Sequence, residues 1–413
     1  MRSRSFFFFF PFFLISALVV LLAASVLHAA SFEEREEDPM LAVNEGWAWP
    51  VVVIQPPEGW DGPVGESVKY AMRAAEREVS KQREGIRGKE VVFLFSSVTD
   101  SAELVERIRT WRAMDVMAIV SFGGQDIDRT LRDLCRDNGP AVVYAAGENL
   151  NVKNPATGTP YPYLFALDLP YYARANALAE VAAIEQPPKK VAVISDMMSF
   201  KLAAGADLNV GFLRARSIDV LDISVPAFRQ DQFVPQIRDM ESGGVRVFSV
   251  WLDAMATLSI WRTAYINRNA SAVYYAGNQH PILLDAEGLV VVDKDVLLER
   301  DEKGKSDIIR MVRDVFNKKI AEPVLAAKAY ALAKWLIGAY RDVSVVEKTS
   351  IAHALGSVID IPLMDEKLAI NPLTHRPVTR KYGVLCVEDR QYRSQGAVEI
   401  FSEEVQEVIE AND

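Results

Sequence analysis

The stretch DVMAIVSFGGQDIDRTL, residues 115–131, carries the pattern that decides the fold. Its first half is a short apolar run bounded by turn residues, the signature of a strand buried on both faces. Gly123 and Gly124 then end the run, and a helix opens at about Gln125. Glycines have no Cβ, so backbone there can approach a neighbour closely. The first N–H groups of the following helix have no partner within it. A strand that ends this way is one crossover of a parallel sheet.

The alternation continues in both directions. Apolar runs begin at Val51, Val91, Ala141, Val191, Asp219, Val245 and Ala272, and between them lie amphipathic segments such as GESVKYAMRAAEREV, SAELVERIRTWR and LSIWRTAYI. Strands alternating with helices make the class α/β, with parallel sheets covered on both faces. The segment NLNVKNPATGTPYPYLFALDLPYY breaks the rhythm with turn residues and aromatics before a second series starts at Lys190. Two sheets are therefore predicted rather than one. After Asp295 come a charged stretch, three helical segments including PVLAAKAYALAKWLIGAYR, and a final strand pair around KYGVLCVED and GAVEIF.

With 413 residues, 50% of them hydrophobic, the chain has material for two cores. Its start has the charged, apolar, small order of a secretory signal: Arg2 and Arg4, an apolar run over 6–27, then Ala29, Ala30 and Ser31. Residues 1–31 are read as a signal peptide cut near Ala30 or Ser31, and 32–44 as an acidic linker. The run is long enough to span a bilayer, so an uncut anchor is the competing reading. No cysteine stands at the junction for lipidation. Cleavage removes two arginines and no acids, taking the formal charge from −10 to about −12. Nucleic acid is not an expected partner.

The two cysteines, Cys135 and Cys386, lie in apolar surroundings and read as two buried thiols. His280, His353 and His375 fall in unrelated segments without metal-ligand spacing, so no metal site is expected. There is no GxSxG elbow, no phosphate loop and no dinucleotide fingerprint, and no cofactor or catalytic residue is assigned. The chain does not read as an enzyme. Asn269, Ala270 and Ser271 form a glycosylation sequon that arises as easily by chance.

Four stretches in order carry a family resemblance: GPVGESVKYAMRAAERE, GIRGKEVVFLF, MAIVSFGGQD and NPLTHRPVTRKYGVLCVEDRQY. Together they resemble the extracytoplasmic solute-binding proteins of ABC transporters, in the branch of leucine/isoleucine/valine-binding proteins with the type 1 periplasmic-binding fold. The resemblance implies two Rossmann-like lobes joined by three hinge crossovers, near 165–169, near 289–293 and between 355 and 365. The first lobe is then 45–166 plus 291–358, and the second 167–290 plus 359–413. It further implies a monomer in the periplasm that traps a small polar solute, an amino acid or derivative, by hinge closure and delivers it to ABC permease subunits. A membrane-anchored ligand-sensing receptor module of the same fold is the alternative.

Ligands of open parallel sheets bind beyond the carboxyl ends of the strands. This places Ser121, Gly123, Gly124 and Gln125 at a first-lobe site, with Ala145 and Gly147 from AAGEN beside them and Glu148 as a holder for an ammonium group. The resemblance implies a serine-rich turn at the first of these places and a hydroxyl at the second, and this chain has glycines in both. Trp60 would stack from the first strand-to-helix loop. The second lobe would offer Ser199, Trp251, Asp253 and Asn278, with Trp251 as the aromatic wall and Asp253 either a ligand group or a helix cap. No arginine falls in a predicted pocket loop, which counts against a guanidinium-held sugar acid or dicarboxylate.

Overall fold

The computed structural model describes residues 39–80, 86, 88–147, 150–184, 190–226, 233–266, 272–293, 302–357, 361–363 and 366–401. The signal segment, Glu148 and the sequon lie outside them.

The first series runs α1 (Pro39–Asn44), β1 (Ala48–Ile54), α2 (Pro63–Ser80), β2 (Glu90–Ser96), α3 (Ser101–Ala113), β3 (Ala118–Ser121), α4 (Gln125–Cys135), β4 (Ala141–Tyr144) and β5 (Leu164–Ala166). The second runs α5 (Ala173–Ile184), β6 (Lys190–Asp196), α6 (Phe200–Ala215), β7 (Asp219–Val225), α7 (Phe233–Ser242), β8 (Val247–Trp251), α8 (Ala254–Ile266), β9 (Ala272–Tyr275) and β10 (Val290–Asp293). Helices α9 (Glu302–Phe316), α10 (Pro323–Asp342) and α11 (Lys348–Gly356) follow. Two small ribbons, β11 (Ile361–Leu363) with β12 (Glu366–Leu368) and β13 (Ile370–Asn371) with β14 (Arg376–Pro377), lead into β15 (Thr379–Glu388) and β16 (Gln391–Phe401).

One sheet has the order β2-β1-β3-β4-β5, with every neighbour parallel. The other has the order β16-β15-β10-β9-β8-β6-β7, parallel from β10 to β7 and antiparallel through β15 and β16. Each series thus winds outward from its first strand, and the strand order reverses beside β1 in one lobe and β6 in the other. Such reversals open a crevice at the carboxyl edge of a sheet.

The apolar runs are buried on both faces, as the sequence predicts. On β1, Val51 and Val53 join a core with α2 and α10, while Val52 and Ile54 join the opposite core with α3 and α4. On β6, Val191 and Val193 meet α5 and α6, and Ala192 and Ile194 meet α7 and α8. Successive side chains point to opposite faces, so a continuous apolar run is what a sandwiched strand requires. Helix α10 buries twelve of its residues beneath the first sheet, which accounts for the length of its apolar run.

Several expected boundaries move. Residues 39–44, read as linker, form α1, and its Ala42 packs on Ala48 and Val92. Residues 290–293 lie wholly in the second sheet, because β10 pairs with both β9 and β15, so the chain leaves that lobe after Asp293 rather than before Val291. Ile361, Leu368 and Ile370 pack in the first-lobe core, so the last return to the second sheet comes at β15 rather than at 359. The cysteines sit in different lobes, Cys135 buried and Cys386 only partly so, which corrects the reading of two buried thiols. Burial pushes the Cys135 thiol up to about 12, so it stays protonated.

Candidate functional site

Between the lobes lies a cavity of about 510 Å³. It opens between α4 and α6, the helices that follow β3 and β6. Gln125 and Arg129 reach it from α4, and Phe200, Lys201, Ala204, Gly205 and Leu208 from one face of α6. The crossover adds Tyr171 and Tyr172, the loop after β4 adds residues 150–153, and Thr374 and Arg376 close it from the tail. Four of the described lining residues are cations, Arg129, Lys153, Lys201 and Arg376, and none is a carboxylate. Cavities of this size suit small organic molecules.

Arg376 is almost wholly buried and donates to three backbone carbonyls, Asp168 at 2.6 Å, Leu150 at 2.5 Å and Gly147 at 3.1 Å. Its planar fork ties the loop after β4 to the crossover. Two arginines therefore line a cavity that the sequence reading left without any. Arg129 enters from a helix face, and Arg376 arrives from a segment more than two hundred residues further along the chain.

Of the residues placed at the site from sequence, Gln125 lines this cavity, and Gly123 and Gly124 form the turn that leads to it. Ser121 is used by the fold. Its hydroxyl donates to Asp128 Oδ1 at 2.5 Å and accepts from the Gly123 N–H at 3.1 Å. Asp128 is buried, and desolvation pushes its carboxyl up to about 7 against the opposing effect of the Ser121 hydrogen bond. Ala145 lies in the first core. Gly147 has φ +56, and a Cβ there would stand 2.9 Å from Tyr144 Cβ, so the glycine serves close packing.

The aromatic candidates also turn inward. Trp60 meets Phe95 edge-on, with ring centroids 5.1 Å apart, and forms a lid on the first core. Trp251 is fully buried rather than a solute wall, and its Nε1 donates to Ser249 Oγ at 3.2 Å. The α6 backbone at Gly205 lies so close that a Cβ there would come within 2.3 Å of the Trp251 ring. Trp251 in turn sets Tyr171, which meets it edge-on at 6.2 Å. The exposed aromatic surface belongs instead to Phe200, which is 90% exposed.

Asp253 caps α8, accepting from the Ala256 N–H at 2.8 Å. Ser199 caps α6 by accepting from the Leu202 N–H. Asn278 accepts from Arg174 Nη2 at 2.8 Å, and Arg174 also donates to the Ala276 carbonyl beneath the end of β9. Polar residues at strand ends thus satisfy helix ends and buried cations. The sequence places the segment from Met198 to Phe200 at the second-lobe site, and Phe200 does line the cavity. The lining that sequence reasoning missed, Ala204 and Leu208, had a signal in sharing one helix face with Phe200. The pair Tyr171 and Tyr172 follows directly on the crossover expected near 165–169.

One parallel and one mostly parallel sheet of repeated winding, joined by crossovers around a cavity that both lobes line, have the architecture of a two-lobed binding protein. A family model described as periplasmic binding protein matches residues 48–391, and the chain belongs to that family, with the type 1 periplasmic-binding fold. Among solved structures it is similar to a branched-chain amino acid ABC transporter protein from Rhodospirillum rubrum, at 15% identity and TM-score 0.67 over 84% of this chain and 99% of that one. A leucine binding protein, LivK, from Thermotoga maritima matches at 15% identity and TM-score 0.60, covering 86% of this chain and 99% of that one. An ABC transporter solute binding protein from R. palustris, in complex with benzoate, matches at 14% identity and TM-score 0.55, covering 86% and 97%. Nothing matches among the curated proteins.

Proposed function

We propose that this protein is the solute-binding component of an ABC importer, exported through its N-terminal segment, and that it captures a small organic acid between its lobes. The cavity at the junction of α4 and α6 carries the reading, because each lobe supplies only part of its wall. A ligand that touches both parts favours the closed arrangement over the open one. Met197, Met198, Phe200 and Met255 stand exposed where β6 and β8 of the second lobe run into α6 and α8. Closure that covers Phe200 adds to the binding free energy. The closed form is then the surface a permease meets.

An acid is favoured over a neutral solute by the four lining cations. The Gln125 side chain supplies neutral hydrogen bonds beside them. A free amino acid is the weaker fit, since no described lining residue is a carboxylate to pair with its ammonium group. The test is a thermal-shift screen of the purified chain against organic solutes, followed by small-angle scattering with each hit. A bound solute raises the melting temperature and reduces the radius of gyration. Solutes that bind without any change in dimensions contradict capture by closure.

A further inference from the structure

Among the described methionines only Met197, Met198 and Met255 stand exposed, at 57%, 72% and 51%, while Met72 and Met240 are buried. All three belong to one edge of one lobe. Met197 and Met198 lie in the turn from β6 into α6, and Met255 lies in the first turn of α8, just after β8. Strands β6 and β8 are parallel neighbours in the second sheet, so the two turns stand side by side at its carboxyl edge. Both turns are ordered. The Met197 N–H donates to the Val225 carbonyl at 3.0 Å, the Met198 N–H donates to Asp196 Oδ1 at 3.0 Å, and Asp253 caps α8 two residues before Met255.

We infer that these three thioethers form a modification site for hydroperoxides, and that their oxidation turns the apolar surface around Phe200 polar. Oxidation of a methionine follows the access of its sulfur to solvent. The sulfur attacks one peroxide oxygen, and an S–O bond forms as the O–O bond breaks. Sulfur loses two electrons, and the transferred oxygen gives its proton to the departing hydroxide, which leaves as water. The product sulfoxide is polar, and a Met-rich surface that carries it loses its apolar character. Phe200, two residues from Met198 and 90% exposed, lines the solute cavity. A sulfoxide beside that ring raises the cost of drying the surface. On the footing that the protein closes on a solute as proposed above, oxidant lowers capture without altering any described lining residue. A methionine sulfoxide reductase reverses the change.

The experiment treats the purified protein with hydrogen peroxide and maps oxygen uptake by peptide mass spectrometry. Binding of the anionic dye anilinonaphthalenesulfonate, a probe of apolar surface, is measured before and after. Met197, Met198 and Met255 are expected to take up oxygen before Met72 and Met240. Dye affinity falls three-fold or more and recovers when both classes of reductase, one for each sulfoxide epimer, are added. The triple variant Met197→Leu, Met198→Leu, Met255→Leu keeps its dye affinity under peroxide, because leucine is apolar and has no sulfur to oxidise. The three side chains are exposed, so the variant folds. Uptake at Met72 as fast as at the exposed positions overturns the inference. So does an untreated protein that binds no dye, full oxidation that leaves dye affinity unchanged, or an equal loss in the leucine variant. None of these measurements needs a solute or closure, so solute capture can stand where they fail. Capture falls separately if no solute in the thermal-shift screen closes the protein.

Discussion

Lys328 Nζ donates to Asp168 Oδ2 at 3.2 Å, and both side chains are buried where the lobes join. Lys328 stands on α10 of the first lobe, Asp168 in the crossover out of β5, and Arg380 of β15 reaches the same carboxylate at 3.4 Å. One anion thus binds three separate segments of chain at the hinge. A buried pair contributes little over an apolar substitute, but removing one member strands the rest. Asp168→Ala is expected to cost about 3–5 kcal/mol, read as a lower denaturant midpoint. A loss under about 1 kcal/mol would show that the hinge does not depend on this cluster.

The contact of Gly205 with Trp251 makes a second prediction. Trp251→Ala empties a fully buried site under α6 and is expected to destabilise by about 3–5 kcal/mol. Gly205→Ala drives a methyl group into the same ring, and the second lobe repacks or α6 shifts away. Because Tyr171 rests edge-on against Trp251, both changes also weaken solute binding. Chemical denaturation and calorimetry on the same samples separate the two effects. A Trp251→Ala protein as stable as the parent would refute the packing role.

Asp128 makes stability depend on pH. Its carboxyl, raised from 3.8 to about 7 by burial, holds a proton more tightly in the folded chain than in the unfolded one. The stability it adds is therefore complete below about pH 4, declines as the pH rises and is gone above about 7. Asn cannot ionise and still accepts from Ser121. Asp128→Asn should gain relative to the parent on going from pH 4 to pH 8, by on the order of a few kcal/mol. Parallel unfolding curves for the two proteins at both pH values would rule this out.

Export predicts the N-terminus. If residues 1–31 are removed as proposed, Edman sequencing of the exported protein starts near Phe32 and the mature chain carries a formal charge of about −12. Recovery of Met1 on membrane-bound protein would favour an anchor. Among the described residues no helix is long and apolar enough to cross a membrane.

Much of the lobe architecture is legible from residue patterns alone. A run such as VVVI or VAVIS is apolar on consecutive positions, which suits only a strand covered twice, and the glycines after β3 mark its turn into α4. Short elements were harder to see. Leu164–Ala166 is a three-residue strand inside a stretch of prolines and tyrosines, and its pairing with β4 comes from a partner 22 residues away. The site was less legible still. A strand-end serine, aspartate or tryptophan has the same chemistry whether it faces a solute or the protein, and here Ser121, Asp253 and Trp251 face the protein.

What the sequence determined by itself is local: periodicity, turn chemistry and an apolar leader, each written in residues within a turn or two of one another. Hence it yields two α/β lobes in order. Which side chains meet across the cleft was decided by the tertiary structure. Arg129, Lys201 and Arg376 belong to three distant segments, and only the docking of α4, α6 and the tail around one crossover brings their charges to a common cavity. Electrostatic fields act through space, so the charge of the site exists only once the chain has folded.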